Sequence, residues 1–203
     1  MRGQLRFVFW AMALTCVAAT SSAQARDYPQ DRVGPTRLYG GLWLGFGGDA
    51  EFDGDREFAG KLKATLGGQF GVDVVVVRYL SLGGEARIGA SKWMRTGDRT
   101  KLIDLDFKPR LRLPISRTPI ELYFTTPVGV TVPRLGDGAP PGVEGKAGWN
   151  LGVGGGLNFW VTRSFGLNVE PMWLMHRFKT DGPGAPDYTL KQFSLFLNAA
   201  VAF

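Results

Sequence analysis

The chain has 203 residues, a mean hydropathy of −0.04 and a formal charge of +6, with 29 Gly, 14 Phe, 6 Trp and 5 Tyr. Glycine and aromatic residues in this proportion suit many short strands and turns better than helices. Beyond the N-terminal segment no stretch is apolar for long enough to make a membrane helix, so a membrane-spanning mature chain has to be a closed sheet. The modest positive charge is weak support for nucleic acid binding, and no nucleic acid partner is expected.

From the N-terminus, Arg2 and Arg6 flank the start of an apolar run over residues 7–19, and Ala23-Gln24-Ala25 offers small residues for cleavage. This is the pattern of a secretory signal peptide over residues 1–25. The run is too short to cross a bilayer comfortably as an anchor, and Ala13-Leu14-Thr15 makes a poor lipobox for Cys16. Cleavage after Ala25 removes the single cysteine and, with Arg2 and Arg6, takes the formal charge from +6 to +4. The mature chain is then expected to have no disulfide, thiolate metal site or cofactor. Residues 26–37 form a linker ahead of the first strand.

Period-two alternation then predicts eight strands, near the length a tilted membrane strand needs. The first, 38–48, places Leu38, Leu42, Leu44 and Phe46 on one face. The second, 62–76, sets Leu62, Leu66, Phe70, Val72 and Val74 against Lys63, Gln69 and Asp73, and the third, 80–92, sets Leu82, Ala86 and Ile88 against Glu85 and Arg87. In the fourth, 102–113, Ile103, Leu105, Phe107, Pro109 and Leu111 alternate with Asp104, Asp106, Lys108, Arg110 and Arg112. A helix would scatter these charges, whereas a strand gathers them on one face. Pro109 cannot donate to a ladder, so a local irregularity is expected there. The remaining strands are 119–132, with Glu121 on the polar face, 149–161, 165–177, with Glu170 and His176, and 189–203. The last ends on Phe203 and is expected to pair with the first.

The links alternate in length. Residues 77–79, 116–118 and 162–164 are tight, while 49–61, 93–101, 133–148 and 178–188 are long and polar. Short turns on one rim and long loops on the other are typical of outer-membrane barrels, with both termini on the periplasmic, short-turn side.

In strand rhythm, loop asymmetry, leader and terminal Phe203, the chain resembles the small eight-stranded outer-membrane β-barrels of the OmpA, OmpX and OmpW type, over essentially all of residues 36–203. The resemblance implies an all-β, eight-stranded antiparallel up-and-down transmembrane barrel over residues 38–203, in the outer membrane of a Gram-negative bacterium. It also implies a monomer in contact with outer-membrane lipids and lipopolysaccharide. Phe203 would be the signal read by the barrel assembly machinery, although Val201 stands where that signal commonly has an aromatic and Asn198 where it commonly has Gly. No peptidoglycan-binding domain of the OmpA kind is expected after it.

With the apolar stripes facing lipid, Lys63, Asp73, Glu85, Arg87, Asp104, Asp106, Lys108, Arg110, Arg112, Glu121 and Glu170 point inward. An eight-stranded barrel is only wide enough for side chains to fill it, so these charges must pair or carry a cost of several kcal/mol each. A salt-bridged plug is the leading reading, and a polar path for ions or small solutes is the alternative. In the first long loop, Asp49, Glu51, Asp53, Asp55 and Glu57 around Gly54 form a candidate divalent-cation set, against a solvated acidic loop. Lys92, Arg95, Arg99 and Lys101 around Trp93 are candidates for lipopolysaccharide phosphates. Trp43, Tyr79, Trp93, Trp149, Trp160 and Trp173 are belt candidates, with Trp43 and Trp160 falling on the inner face.

No enzyme is expected. His176 is the only histidine and is followed by Arg177 and Phe178, so the short His-x-Ser pattern of lipid-modifying barrels is absent. The glycines at 152, 154, 155 and 156 lack the tail of a phosphate loop. The expected function is structural or surface-interacting, and the alternative is a narrow porin or conduit for small hydrophobic solutes. A soluble periplasmic barrel holding a lipid would need the opposite orientation, with the row from Asp104 to Arg112 in water.

Overall fold

The alternating pattern becomes strands throughout the computed structural model, which describes residues 35–52, 60–93, 99–116, 118–134, 144–181 and 187–203. They are β1 (Thr36–Phe52), β2 (Gly60–Val77), β3 (Leu80–Trp93), β4 (Arg99–Pro114), β5 (Ile120–Thr125), β6 (Val128–Arg134), β7 (Glu144–Gly145), β8 (Gly148–Trp160), β9 (Phe165–Phe178), β10 (Thr180–Asp181) and β11 (Tyr188–Ala202). The leader expected at 1–25, and the linker up to residue 34, lie outside the described residues.

Antiparallel pairing runs round the sheet, and β11 returns to β1 with Leu38 opposite Val201 and Phe46 opposite Phe193. Thr36 and Phe203 exchange two backbone hydrogen bonds of 3.1 and 3.0 Å, which fixes the last residue into the ring. Closure leaves no edge to template aggregation, so an apolar terminal strand is tolerated here. β5 and β6 are collinear halves of one wall, because Arg110–Thr125 and Phe107–Val128 belong to the same register. Counted this way, the nine strands of the ring make eight walls. The break at Thr126 and Pro127 lies beside Pro109 of β4, and neither proline has an N–H to donate. The irregularity expected at Pro109 is therefore a gap in the ladder without a slip in register.

The links are sorted by rim. Arg78 and Tyr79 join β2 to β3, and between β8 and β9 the Thr162 hydroxyl accepts from the N–H groups of Ser164 and Phe165 at 3.2 and 2.9 Å. These lie on the rim that carries Thr36 and Phe203, while the long connections leave the other rim. There β7 and β10 pair as a short ribbon.

Side chains sort by face as the pleat requires. Leu66, Leu105 and Phe70 are 65%, 62% and 60% exposed, within a band of outward Leu, Ile, Val and Phe. In water such a surface would be an association hazard, whereas against lipid it is the solvated face. Trp149, Trp173 and Tyr79 face out and Trp43 and Trp160 are buried, while the Trp93 side chain lies outside the described residues. The inward-apolar orientation needed by a soluble lipid carrier does not hold, because Asp104 to Arg112 point into the barrel.

Candidate functional site

The lumen is filled in storeys. Nearest the short-turn rim, Arg37 reaches Glu121 at 2.7 Å, Arg112 binds the other carboxylate oxygen, and Asn158 donates to Glu121 at 2.8 Å. The Arg37 guanidinium also lies 4.9 Å over the Trp160 ring. β1 begins at Thr36, before the expected barrel edge, and this brings Arg37 onto the inner face with Tyr39. Sequence reading missed it, although its parity with Tyr39 and Trp43 carries the signal.

In the middle, Lys108 Nζ is held between Glu85 and Glu170 at 2.5 and 2.6 Å. Tyr39 donates to Glu85 at 3.0 Å and Tyr123 to Glu170 at 2.5 Å. Arg110 reaches Asp73 at 3.2 Å and Glu170 at 3.6 Å, with its guanidinium 4.5 Å from the Tyr39 ring and 5.0 Å from that of Tyr123. Arg87 lies 2.5 Å from Asp106, 3.3 Å from Asp104 and 3.6 Å from Glu85. His176 Nε2 lies 3.0 Å from Asp104 Oδ2, and its ring stacks against Trp43. These ions come from β2, β3, β4 and β9. The network therefore ties opposite walls together.

A directed chain of amides lines the inside of the wall. Gln69 donates to Asn198, Asn198 to Asn168, and Asn168 to Asn158, each at 2.8 Å. The first step crosses over β1 at Gly41, which pairs with both Gln69 and Asn198. A Cβ there would lie 2.5 Å from Asn198 Oδ1 and 1.9 Å from the Leu197 carbonyl oxygen, so only glycine leaves the path clear. Gly89 makes similar room, because its Cβ would meet the Trp43 ring at 2.5 Å.

Toward the long-loop rim the filling turns apolar. Leu62, Leu102, Leu174, Phe178 and Leu190 pack with Ala50, above Trp43, Met172 and Phe196, and Tyr188 stacks on Phe178 at 5.3 Å between ring centroids. This upper plug was not expected. It uses inward positions near the outer rim where polarity is reversed, with Leu62 between outward Lys61 and Lys63 and Leu102 beside outward Lys101, so a rule that points apolar residues at lipid does not find it.

Of the expected lumen residues, Asp73, Glu85, Arg87, Asp104, Asp106, Lys108, Arg110, Arg112, Glu121 and Glu170 are brought together here. Lys63 is not, and the expectation is corrected. The β2–β3 register shifts between Leu62 and Thr65, giving β2 an extra residue, so Lys63 and Ala64 both face out while Leu62 turns in. Of the candidate cation set, Asp49 and Glu51 belong to β1, and both Glu51 oxygens lie 2.8 Å from Lys191 Nζ. Asp53, Asp55 and Glu57 lie outside the described residues. Lys92, Arg99 and Lys101 are exposed on β3 and β4, while Arg95 lies outside the described residues.

No family model matches the chain, and no curated protein sequence matches it. Solved structures do. OprG from Pseudomonas aeruginosa matches with a TM-score of 0.60 at 11% identity, covering 84% of this chain and 96% of that one. Neisserial surface protein A gives 0.60 at 12% identity, over 83% and 97%. The outer-membrane protein AlkL gives 0.57 at 14%, over 91% and 96%. At these identities the likeness concerns the fold. Ring closure, sorted links, an outward apolar band and these neighbours agree: the chain is an all-β, antiparallel transmembrane barrel with the fold of the small eight-stranded outer-membrane β-barrels.

Proposed function

We propose that the protein is a non-enzymatic, closed outer-membrane barrel with a structural and surface-interacting role, whose lumen conducts neither ions nor small solutes. The observation that carries this reading is Lys108 between Glu85 and Glu170, with Arg87, Asp104 and Glu170 almost wholly buried. A conducting path needs sites that bind a passing ion weakly enough to release it. Here the charged groups are already matched to one another, and an apolar plug stands between them and the outer rim. Its expected partners are outer-membrane lipid and lipopolysaccharide, the latter through Lys92, Arg99 and Lys101, and the barrel assembly machinery through Phe203.

The reading is tested with the full mature chain refolded into liposomes and placed in iso-osmotic solutions of small sugars or amino acids. A closed barrel gives the swelling rate of empty liposomes. Swelling that scales with the amount of protein would replace this reading with the narrow porin. Fractionation should recover the native protein in the outer membrane with heat-modifiable gel mobility.

A further inference from the structure

The buried charges of the lumen do not balance without a further proton. Asp73, Glu85, Asp104, Asp106, Glu121 and Glu170 supply six carboxylates, whereas Arg37, Arg87, Lys108, Arg110 and Arg112 supply five permanent cations. Among the described residues one negative charge is left over. Nearest the short-turn rim Arg37 and Arg112 outnumber Glu121, while in the middle storey Arg87, Lys108 and Arg110 face all the other acids. The shortfall is therefore above the lowest storey. It is steepest where Arg87 alone serves Asp104 at 3.3 Å and Asp106 at 2.5 Å and is also shared with Glu85 at 3.6 Å. Buried in this way, a surplus acid is costly until a positive charge matches it.

His176 of β9 stands at that place and is itself buried. Its Nε2 lies 3.0 Å from Asp104 Oδ2, and since an ionised carboxylate only accepts, Nε2 carries a hydrogen and donates. The charge of the ring then depends on Nδ1. Around it β8 sets Asn150 and β11 sets Leu190 in register with His176, β6 sets Thr131 opposite Asp104, and β1 supplies Trp43. None of these is charged. The charged groups gathered there are Asp104 and Asp106 from β4 with Glu85 and Arg87 from β3, three acids to one base. A surplus of negative charge favours the positive form of a histidine, and the stacked indole face of Trp43 adds in the same direction.

We infer that His176 carries a proton on both ring nitrogens in the folded barrel at neutral pH, as the sixth cation of the lumen, and that this buried proton makes the plug pH-sensitive. Protonation at Nδ1 turns the hydrogen bond to Asp104 into an ion pair and sets six cations against six carboxylates. The inference goes beyond the closed-barrel reading. A neutral ring would leave liposome swelling unchanged, so the two fail separately.

His176 is the only histidine in the chain, so the untagged full mature barrel, labelled with nitrogen-15 in histidine and refolded in micelles, gives a single pair of ring signals. Both should show the protonated shift at about pH 7.5, where a free histidine is only about 10% charged. In Asp104→Asn five acids face the five permanent cations, and the ring should turn neutral at the same pH. Asp181→Asn, which removes the acid of an exposed rim pair with Lys146, should leave it charged. The folded barrel then holds a proton that the unfolded chain releases, so the urea midpoint should fall as pH rises from about 7 to 9, and His176→Gln should abolish that slope. One bare ring nitrogen in wild type would overturn the inference. So would a charged ring in Asp104→Asn, a neutral one in Asp181→Asn, or an equal slope in His176→Gln.

Discussion

Inside the barrel Lys108 has a carboxylate on either side at 2.5 and 2.6 Å, while on the outer wall Lys101 faces Arg134 with no acid in ion-pair distance among the described residues. The two sites lie on one strand, β4, seven residues apart and on opposite faces of it. Burial explains the difference. An ion removed from water must be matched by an opposite charge or carry a penalty of several kcal/mol, whereas an exposed one is screened and can wait for a ligand. Inside, the charge pattern is complete, while outside it is open.

The sharpest way to break this contrast is to remove the same residue type from each side. Lys108→Ala leaves Glu85 and Glu170 facing each other without a cation, and unfolding in urea should show a loss of about 3–5 kcal/mol. Lys101→Ala should move the same midpoint by under ~0.5 kcal/mol. Comparable losses at both sites would mean that the lumen network is hydrated and loose.

The apolar storey sharpens the contrast within the lumen itself. Leu174 is completely buried beneath the outer rim, so Leu174→Ala should cost about 2–5 kcal/mol in the same denaturation assay. Gly41→Ala probes the space over β1, and the expected loss is about 1–3 kcal/mol, with faster hydrogen exchange at Gln69 and Asn198. A small change is also expected of Lys191→Ala. That residue is partly exposed and pairs with Glu51 at the rim, and its loss should cost no more than about 1 kcal/mol, shrinking further in high salt.

Much of this architecture is legible in the sequence because a strand has a period of two, and one face of most walls is uniformly apolar. The row from Asp104 to Arg112 is the clearest case, and all five of its charges lie inside. The errors arise where the period is interrupted or uninformative. An extra residue between Leu62 and Thr65 turns Lys63 outward, and no local signal announces it. The upper plug is hidden because polarity reverses near the outer rim, where Leu62 turns in between outward Lys61 and Lys63 and Leu190 turns in beside the partly exposed Lys191. Specific partners are the least legible. Arg37 meets Glu121 across 84 residues and Lys108 meets Glu170 across 62, contacts that closure of the ring creates and no spacing encodes.

The claim that the interior is complete is tested most directly by single-channel recording of the refolded mature barrel in a planar bilayer. Matched ions beneath an apolar plug predict no steady current above the bare membrane at any applied voltage that leaves the bilayer intact. A reproducible unit conductance that rises with salt concentration would contradict the account, because it would require water and mobile ions where Lys108, Glu85 and Glu170 now fill the lumen.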